Sequence, residues 1–184
     1  MKFERKKFSI EVGGRPLTLE FSPLAGKANA AVLGKYGETI VLVSVVMSPT
    51  ESSANYMPLK VDYEERFYAA GKIIGSRFIR REGRPSEDAI LTGRLVDRVI
   101  RPLFDQRLRH EVQVVVTVLS YDEENDPDFV GLIAASAALS ISDVPWQGPI
   151  AAVRIAKIGE TFRVNPTNAE LQSPELLFET FVAG

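Results

Sequence analysis

Between Ile40 and Val46 the chain reads I-V-L-V-S-V-V, a run so dense in β-branched residues that it suits a strand buried in the middle of a sheet. The residues before it supply the neighbours. Phe8, Ile10 and Val12 alternate on one strand face, Gly13-Gly14 offers a positive-φ turn, and Leu17, Leu19 and Phe21 continue on the returning strand. A second pair, Ala28 to Leu33 and Thr39 to Met47, is expected to join through a turn at Gly34-Lys35-Tyr36-Gly37. The chain therefore begins as an antiparallel meander.

Ser48 to Asn55 is small and polar and reads as a surface loop, and Met57 to Tyr63 alternates as another strand. A basic loop punctuated by Gly71, Gly75 and Gly83 follows. Ser86 is placed to N-cap a helix with Glu87 and Asp88 in its first turn, and Pro102 should end that helix by disfavouring α geometry at Arg101. Val112, Val114, Val116 and Val118 mark a strand. The acidic stretch Tyr121 to Asp128 leads into a second helix with Asp126 as N-cap, Pro127 at the first helical position, and small residues from Gly131 to Ala138 that permit close packing on a sheet. Strands at Ile150 to Ile158 and Leu176 to Val182 close the order. The sum is an α+β fold with helices packed on a mainly antiparallel sheet. At 184 residues and 45% apolar, residues 1–184 suit one domain. The chain stops at Gly184 directly after its last strand, and is read as a piece of something longer.

The absence of cysteine removes disulfides, thiolate metal sites and cysteine nucleophiles together. A single His110 removes any mechanism that needs paired imidazoles. The start, M-K-F-E-R-K-K-F-S-I, has no apolar stretch after its basic residues and is no secretory signal, and no apolar run is long enough to span a bilayer. A cytoplasmic setting is expected.

Charge singles out one region. Seven arginines and no lysine fall between Arg77 and Arg101, a local balance of +3 in a chain whose net charge is −2. On a helical wheel Arg94, Arg98 and Arg101 lie within about 60° of one another beside an apolar arc, so three guanidinium groups share one stripe, with Asp97 offsetting part of their repulsion. A solvated basic face is the plainer reading of such a helix alone. The adjoining loop shifts the balance: Arg77, Phe78, Arg80, Arg81 and Arg84 combine bidentate phosphate donors with a ring on which a base can stack. Single-stranded nucleic acid is the favoured partner.

Other signals are weaker. Asp122 to Asp128 lacks the central glycine and terminal glutamate of a calcium loop, and reads as a solvated turn with a helix cap. Gly34 to Gly37 is no phosphate-binding loop. His110 reads as polarity at a strand start, and Trp146, between two prolines, as a packing anchor. Asp62, Glu64 and Glu65 are expected to pair with arginines of the basic loop, the alternative being a carboxylate for metal-assisted chemistry. No nucleophile–base pair or clustered carboxylate site emerges, so the residues alone lead to an RNA-type binding surface.

Longer motifs carry a resemblance. Y-A-A-G-K-I from Tyr68, R-F-I-R-R-E-G-R-P-S-E from Arg77, G-R-L-V-D-R from Gly93, I-R-P-L-F from Ile100, the alanine-rich helix from Ala134, G-P-I from Gly148 and N-P-T from Asn165 together resemble the bacterial polynucleotide phosphorylases, in their first RNase PH-like core, over almost the whole chain. That resemblance implies a ribosomal protein S5 domain 2-like fold, a homotrimeric ring with a central channel, and 3′-to-5′ degradation of RNA in which inorganic phosphate releases nucleoside diphosphates. It implies RNA contacts at Phe78, Arg80 and Arg81 in a channel loop, with Arg84 just beyond, and at Arg94, Arg98 and Arg101 facing a cleft shared with a second core. Magnesium is implied as cofactor, with its ligands, the phosphate-binding serines and the catalytic lysine in that second core, so no catalytic residue is carried over to this chain. KH and S1 modules and degradosome-type partners are implied for the whole protein. Two departures stand out: Ile79 replaces one of a pair of aromatics, and Val99 stands where the family usually has proline. A non-catalytic RNA-binding ring subunit of an exosome-like assembly, or a stand-alone RNase PH-like exoribonuclease, are the alternatives.

Overall fold

A computed structural model describes residues 5–21, 24–73 and 83–184. The opening meander forms as expected: β1 (Lys6–Val12), β2 (Arg15–Phe21), β3 (Ala30–Tyr36) and β4 (Thr39–Glu51) pair antiparallel in sequence. Two boundaries differ. Gly34, Lys35 and Tyr36 belong to β3, and the turn is the tighter Gly37-Glu38, with Gly37 at φ 60°. Gly34 is a packing glycine instead, since a Cβ there would lie 3.0 Å from Val130. The segment from Ser48 continues β4 to Glu51 across an irregular register opposite His110.

β5 (Leu59–Glu64) and β6 (His110–Ser120) complete a six-stranded sheet of order β1-β2-β3-β4-β6-β5, in which only the β5–β6 pairing is parallel. β4 is central, as its composition demands, but only one of its faces is sealed. Thr39, Val41, Val43 and Val45 are buried, while Ile40, Leu42 and Ser44 are half-buried and Val46 is exposed.

Two helices cover the sealed face. α1 (Glu87–Ile100) lies on β5 through Ala89, Gly93, Val96 and Ile100. α2 (Pro127–Ile141) lies on β3 and β4, close enough that a Cβ on Gly131 would sit 2.9 Å from Val116. Asp126 caps α2 by accepting from the Asp128 amide. Pro102 does not force Arg101 out of helical geometry: Arg101 keeps φ −57°, ψ −42°, and a 3₁₀ turn at Arg101–Leu103 prolongs α1. The proline follows Arg101's own tie to the β5 segment, described below, which holds this end down. Trp146 anchors the same end by donating from Nε1 to the Ile100 carbonyl at 3.2 Å.

A second sheet, of order β8-β7-β9, is built from β7 (Ala152–Ile158), β8 (Thr161–Val164) and β9 (Leu176–Ala183). β8 and the one-turn helix α3 (Asn168–Leu171) were not foreseen from the sequence. α3 carries a capping box between Thr167 and Glu170, too short to leave an apolar period. Arg154 of β7 pairs with Asp126 at the cap of α2, and the Ile150 amide donates to Ser136 on α2, so this sheet is tied to the same helix as the first. Among the described residues no helix is long and apolar enough to cross a membrane.

Candidate nucleic-acid interface

The parallel pairing of β5 and β6 forces a long connection, and the arginine-rich stretch lies within it. Its helical part begins at Ser86, whose Oγ accepts from the Ala89 amide and donates to Glu65 Oε2 at 2.6 Å. With Ala89, Gly93 and Val96 turned to β5, the outer side of α1 carries Ile90, Leu91, Arg94 and Arg98, all exposed.

The three helix arginines are not equivalent. Arg94 and Arg98 make no hydrogen bond or ion pair among the described residues. Arg101 is half-buried: it grips Asp97 from Nε at 2.8 Å and Nη2 at 2.5 Å, and donates to the carbonyls of Met57 at 3.3 Å and Leu59 at 3.1 Å. The bonds to Asp97 raise its already high pKa. Asp97 thus serves Arg101 alone, and the stripe of three seen on the wheel divides into two free guanidinium groups and one tied to the β5 segment. Arg84 is exposed and likewise unpaired among the described residues. Arg77, Phe78, Arg80 and Arg81 lie outside the described residues.

Beside Arg84 opens a cleft of about 820 Å³, walled by β5, a 3₁₀ turn at Phe67–Ala70 and the starts of α1 and α2. Of its carboxylates Asp88 is exposed, with no hydrogen bond or ion pair among the described residues, and the others are engaged. Asp62 pairs with Lys60 at 2.9 Å and accepts from Gln113, Glu64 pairs with Arg66, Glu65 accepts from Ser86, and Asp126 pairs with Arg154. Among the described residues the partners of Asp62, Glu64 and Glu65 are Lys60 and Gln113 on β5 and β6, Arg66 in the adjoining turn and Ser86 at the cap of α1, while Arg84, the one basic-loop arginine described, pairs with none of them. Among the described residues no three His, Asp or Glu side chains gather as a metal ligand set.

Asp128 is the group the sequence did not announce. Its Oδ1 accepts from the Tyr63 hydroxyl at 3.1 Å and its Oδ2 from Thr92 at 3.0 Å, which links α2 to β5 and α1. Burial, and then the neighbouring Asp126 charge, push this carboxyl up to about 7, against the hydrogen bonds of Thr92 and Tyr63 and the charge of Arg154. The acidic turn before it is not merely solvated. Burial opposes the charge of Asp122, yet donors from Asn125, Glu124 and Glu38 outweigh it and hold the carboxyl down at about 2. His110 stands at the start of β6 with Nδ1 2.9 Å from the Ser48 carbonyl.

The model of the 3′ exoribonuclease family, domain 1, matches residues 13–145. The chain belongs to this family. It is 53% identical over 178 residues to a polyribonucleotide nucleotidyltransferase of Thermus thermophilus, covering 97% of this chain and 24% of that protein. It is 52% identical over 176 residues to one of Exiguobacterium sibiricum, covering 96% of this chain and again 24% of the relative. The chain spans about a quarter of the length of the curated relatives it matches. Among solved structures, rice (Oryza sativa) Rrp46 superposes with a TM-score of 0.72 at 17% identity, over 94% of this chain and 76% of that one. A chain of the Archaeoglobus fulgidus exosome with RNA bound to the active site superposes with a TM-score of 0.59 at 20% identity, over 98% and 78%. At such identities the likeness is one of fold, and the α+β RNase PH architecture expected of a 3′ exoribonuclease domain is the one observed.

Proposed function

We propose that this chain is the first RNase PH-like domain of a polyribonucleotide nucleotidyltransferase, a protein that degrades RNA from its 3′ end by phosphorolysis. The observation that carries this reading is the identity of 53% over 97% of the chain to a protein of that name. The segment's own part is to bind single-stranded RNA through Phe78, Arg80, Arg81, Arg84, Arg94 and Arg98, with Arg101 holding the helix that bears the last two. Support comes from the three exposed guanidinium groups at 84, 94 and 98, whose charge no carboxylate of the described residues neutralises.

The bond-breaking step is assigned to residues outside this chain. Magnesium, when bound, would neutralise phosphate charge there. Of the cleft carboxylates, Asp62, Glu64, Glu65 and Asp126 are held by Lys60, Arg66, Ser86 and Arg154, and Asp128 by Tyr63 and Thr92, which leaves Asp88 without the companions a ligand set needs among the described residues, so no step is routed through a metal on this chain. A trimeric ring, a second core, KH and S1 modules, degradosome-type partners and a cytoplasmic setting belong to the same reading of the whole protein. The single-core alternatives share only the fold at 17% and 20% identity.

Two measurements on the chain test this. Oligo(A) binding should weaken with salt, and Arg94→Ala and Arg98→Ala should each flatten the log–log slope by about 0.7. Phosphate-dependent release of ADP from oligo(A) with magnesium should be absent. Release would place the chemistry within these residues and overturn the assignment, and salt-independent binding would remove the arginines' role.

A further inference from the structure

Two exposed tyrosine rings stand at opposite ends of α1. The helix runs antiparallel to β5. Ser86 at its start reaches Glu65, a Cβ on Gly93 would lie 3.6 Å from the Val61 carbonyl, and Arg101 at its end reaches the carbonyls of Met57 and Leu59. Tyr56, one residue before that Met57 carbonyl, therefore emerges at the C-terminal end of α1. The Phe67–Ala70 turn, which shares the cleft wall with Gly83 to Ser86, lies at its N-terminal end and carries Tyr68. Tyr56 is 69% exposed and Tyr68 59%, and neither hydroxyl makes a hydrogen bond among the described residues. Between them run 14 helical residues, about 21 Å at 1.5 Å each, with Leu91, Arg94 and Arg98 exposed on the outer side.

The backbone beneath Tyr68 is fixed. The Tyr121 amide donates to the Ala69 carbonyl at 2.8 Å, the Gly71 amide to Tyr68 at 3.0 Å, and Lys72 pairs with Glu123 at 2.6 Å. An exposed ring at each end of a row of guanidinium groups unpaired among the described residues, one of the rings set on an ordered turn, suits a polymer with alternating anionic and aromatic parts. Phosphates meet the arginines, and bases have π-faces to lay on the rings. We propose that Tyr56 and Tyr68 are base-stacking residues that mark the two ends of a short single-stranded RNA path along the outer side of α1. This rests on the RNA-binding reading of Arg94 and Arg98, and assigns the bases a place that reading leaves open. Stacking of this kind tolerates any sequence.

The test titrates the chain with labelled oligo(A), and with an abasic ribose-phosphate strand of equal length, for the unmodified protein, Tyr56→Ala, Tyr68→Ala and the two Tyr→Phe variants. Each alanine variant should weaken oligo(A) binding about five- to a hundred-fold, leave the salt slope and the abasic affinity unchanged, and be restored by phenylalanine. If the unmodified chain binds oligo(A) in a salt-dependent way and both alanine variants bind as tightly, the stacking assignment is overturned while the arginine reading stands. An equal loss on the abasic strand would make the tyrosines structural and also overturn it. Absence of salt-dependent binding by the unmodified chain would overturn the arginine reading, and the path with it.

Discussion

Arg101 closes back on Asp97, one helical turn earlier, and with its remaining donors holds the carbonyls of Met57 and Leu59, so one guanidinium group fastens α1 to the chain entering β5. A residue that looks interchangeable with Arg94 and Arg98 by spacing is thus distinguished by its partners.

Arg101→Ala should destabilise the chain by about 1–3 kcal/mol, because it strips Asp97 and two carbonyls of a charged donor. Arg94→Ala and Arg98→Ala, with no partner to lose among the described residues, should stay within about 0.5 kcal/mol of the parent. Urea unfolding of the three variants reads the difference directly. Equal stabilities would mean that Arg101 is as free as the other two.

The raised carboxyl of Asp128 makes a pH prediction with a definite sign. Its folded pKa of about 7 lies above the ordinary carboxylate value of 3.8, so between those values the unfolded chain releases a proton that the folded chain keeps. Its contribution is complete below about pH 4 and is lost as pH rises towards 7, by up to about 1.4 kcal/mol per pH unit. Asp128→Asn, which keeps the shape without the charge, should remove this loss. Thermal unfolding of both proteins at pH 5 and pH 8 should show the gap in melting temperature between the two pH values shrink in the variant.

Asp122 acts with the opposite sign. Held at about 2, it stabilises above pH 4 and its contribution disappears as pH falls from there towards 2. Asp122→Asn should make acid unfolding begin at lower pH relative to the variant's own stability at neutrality, which an acid titration followed by circular dichroism detects.

Gly13 and Gly14 separate two reasons for glycine. Both have positive φ, 57° and 78°, but a Cβ at Gly13 would lie 2.4 Å from the Val164 carbonyl oxygen, whereas one at Gly14 meets nothing within 4 Å. Gly14→Ala should cost about 1 kcal/mol, the backbone penalty alone. Gly13→Ala should cost more than about 2 kcal/mol, because the β1–β2 turn and β8 cannot keep their separation. Chemical denaturation of the pair gives the comparison.

Where the sequence was legible, a local rule decided the structure. Ser86 and Asp126 cap the helices that their side chains and the following acids or proline announce, and the alternating valines of β6 point to the core one by one. It was illegible where tertiary partners decide. Nothing local separates Arg101 from Arg98, since the distinction lies in carbonyls some forty positions earlier. The Gly34 to Gly37 stretch has turn composition, yet Gly34 is there so that Val130 of α2 can approach the sheet. Asp128 resembles any acid in a first helical turn until Tyr63 and Thr92 close over it. Three of the seven arginines, Arg77, Arg80 and Arg81, lie outside the described residues.

The one parallel pairing in the main sheet has a consequence for how this surface can change. Two strands that run the same way cannot be joined by a tight turn, so residues 65 to 109 must travel from one end of β5 to the opposite end of β6 whatever they encode. The register of the sheet is set by valines on either side of that excursion. Charge on the outer side of α1, at Arg94 and Arg98, is therefore free to drift without moving a strand, which leaves the architecture and the affinity for a polyanion to be tuned separately.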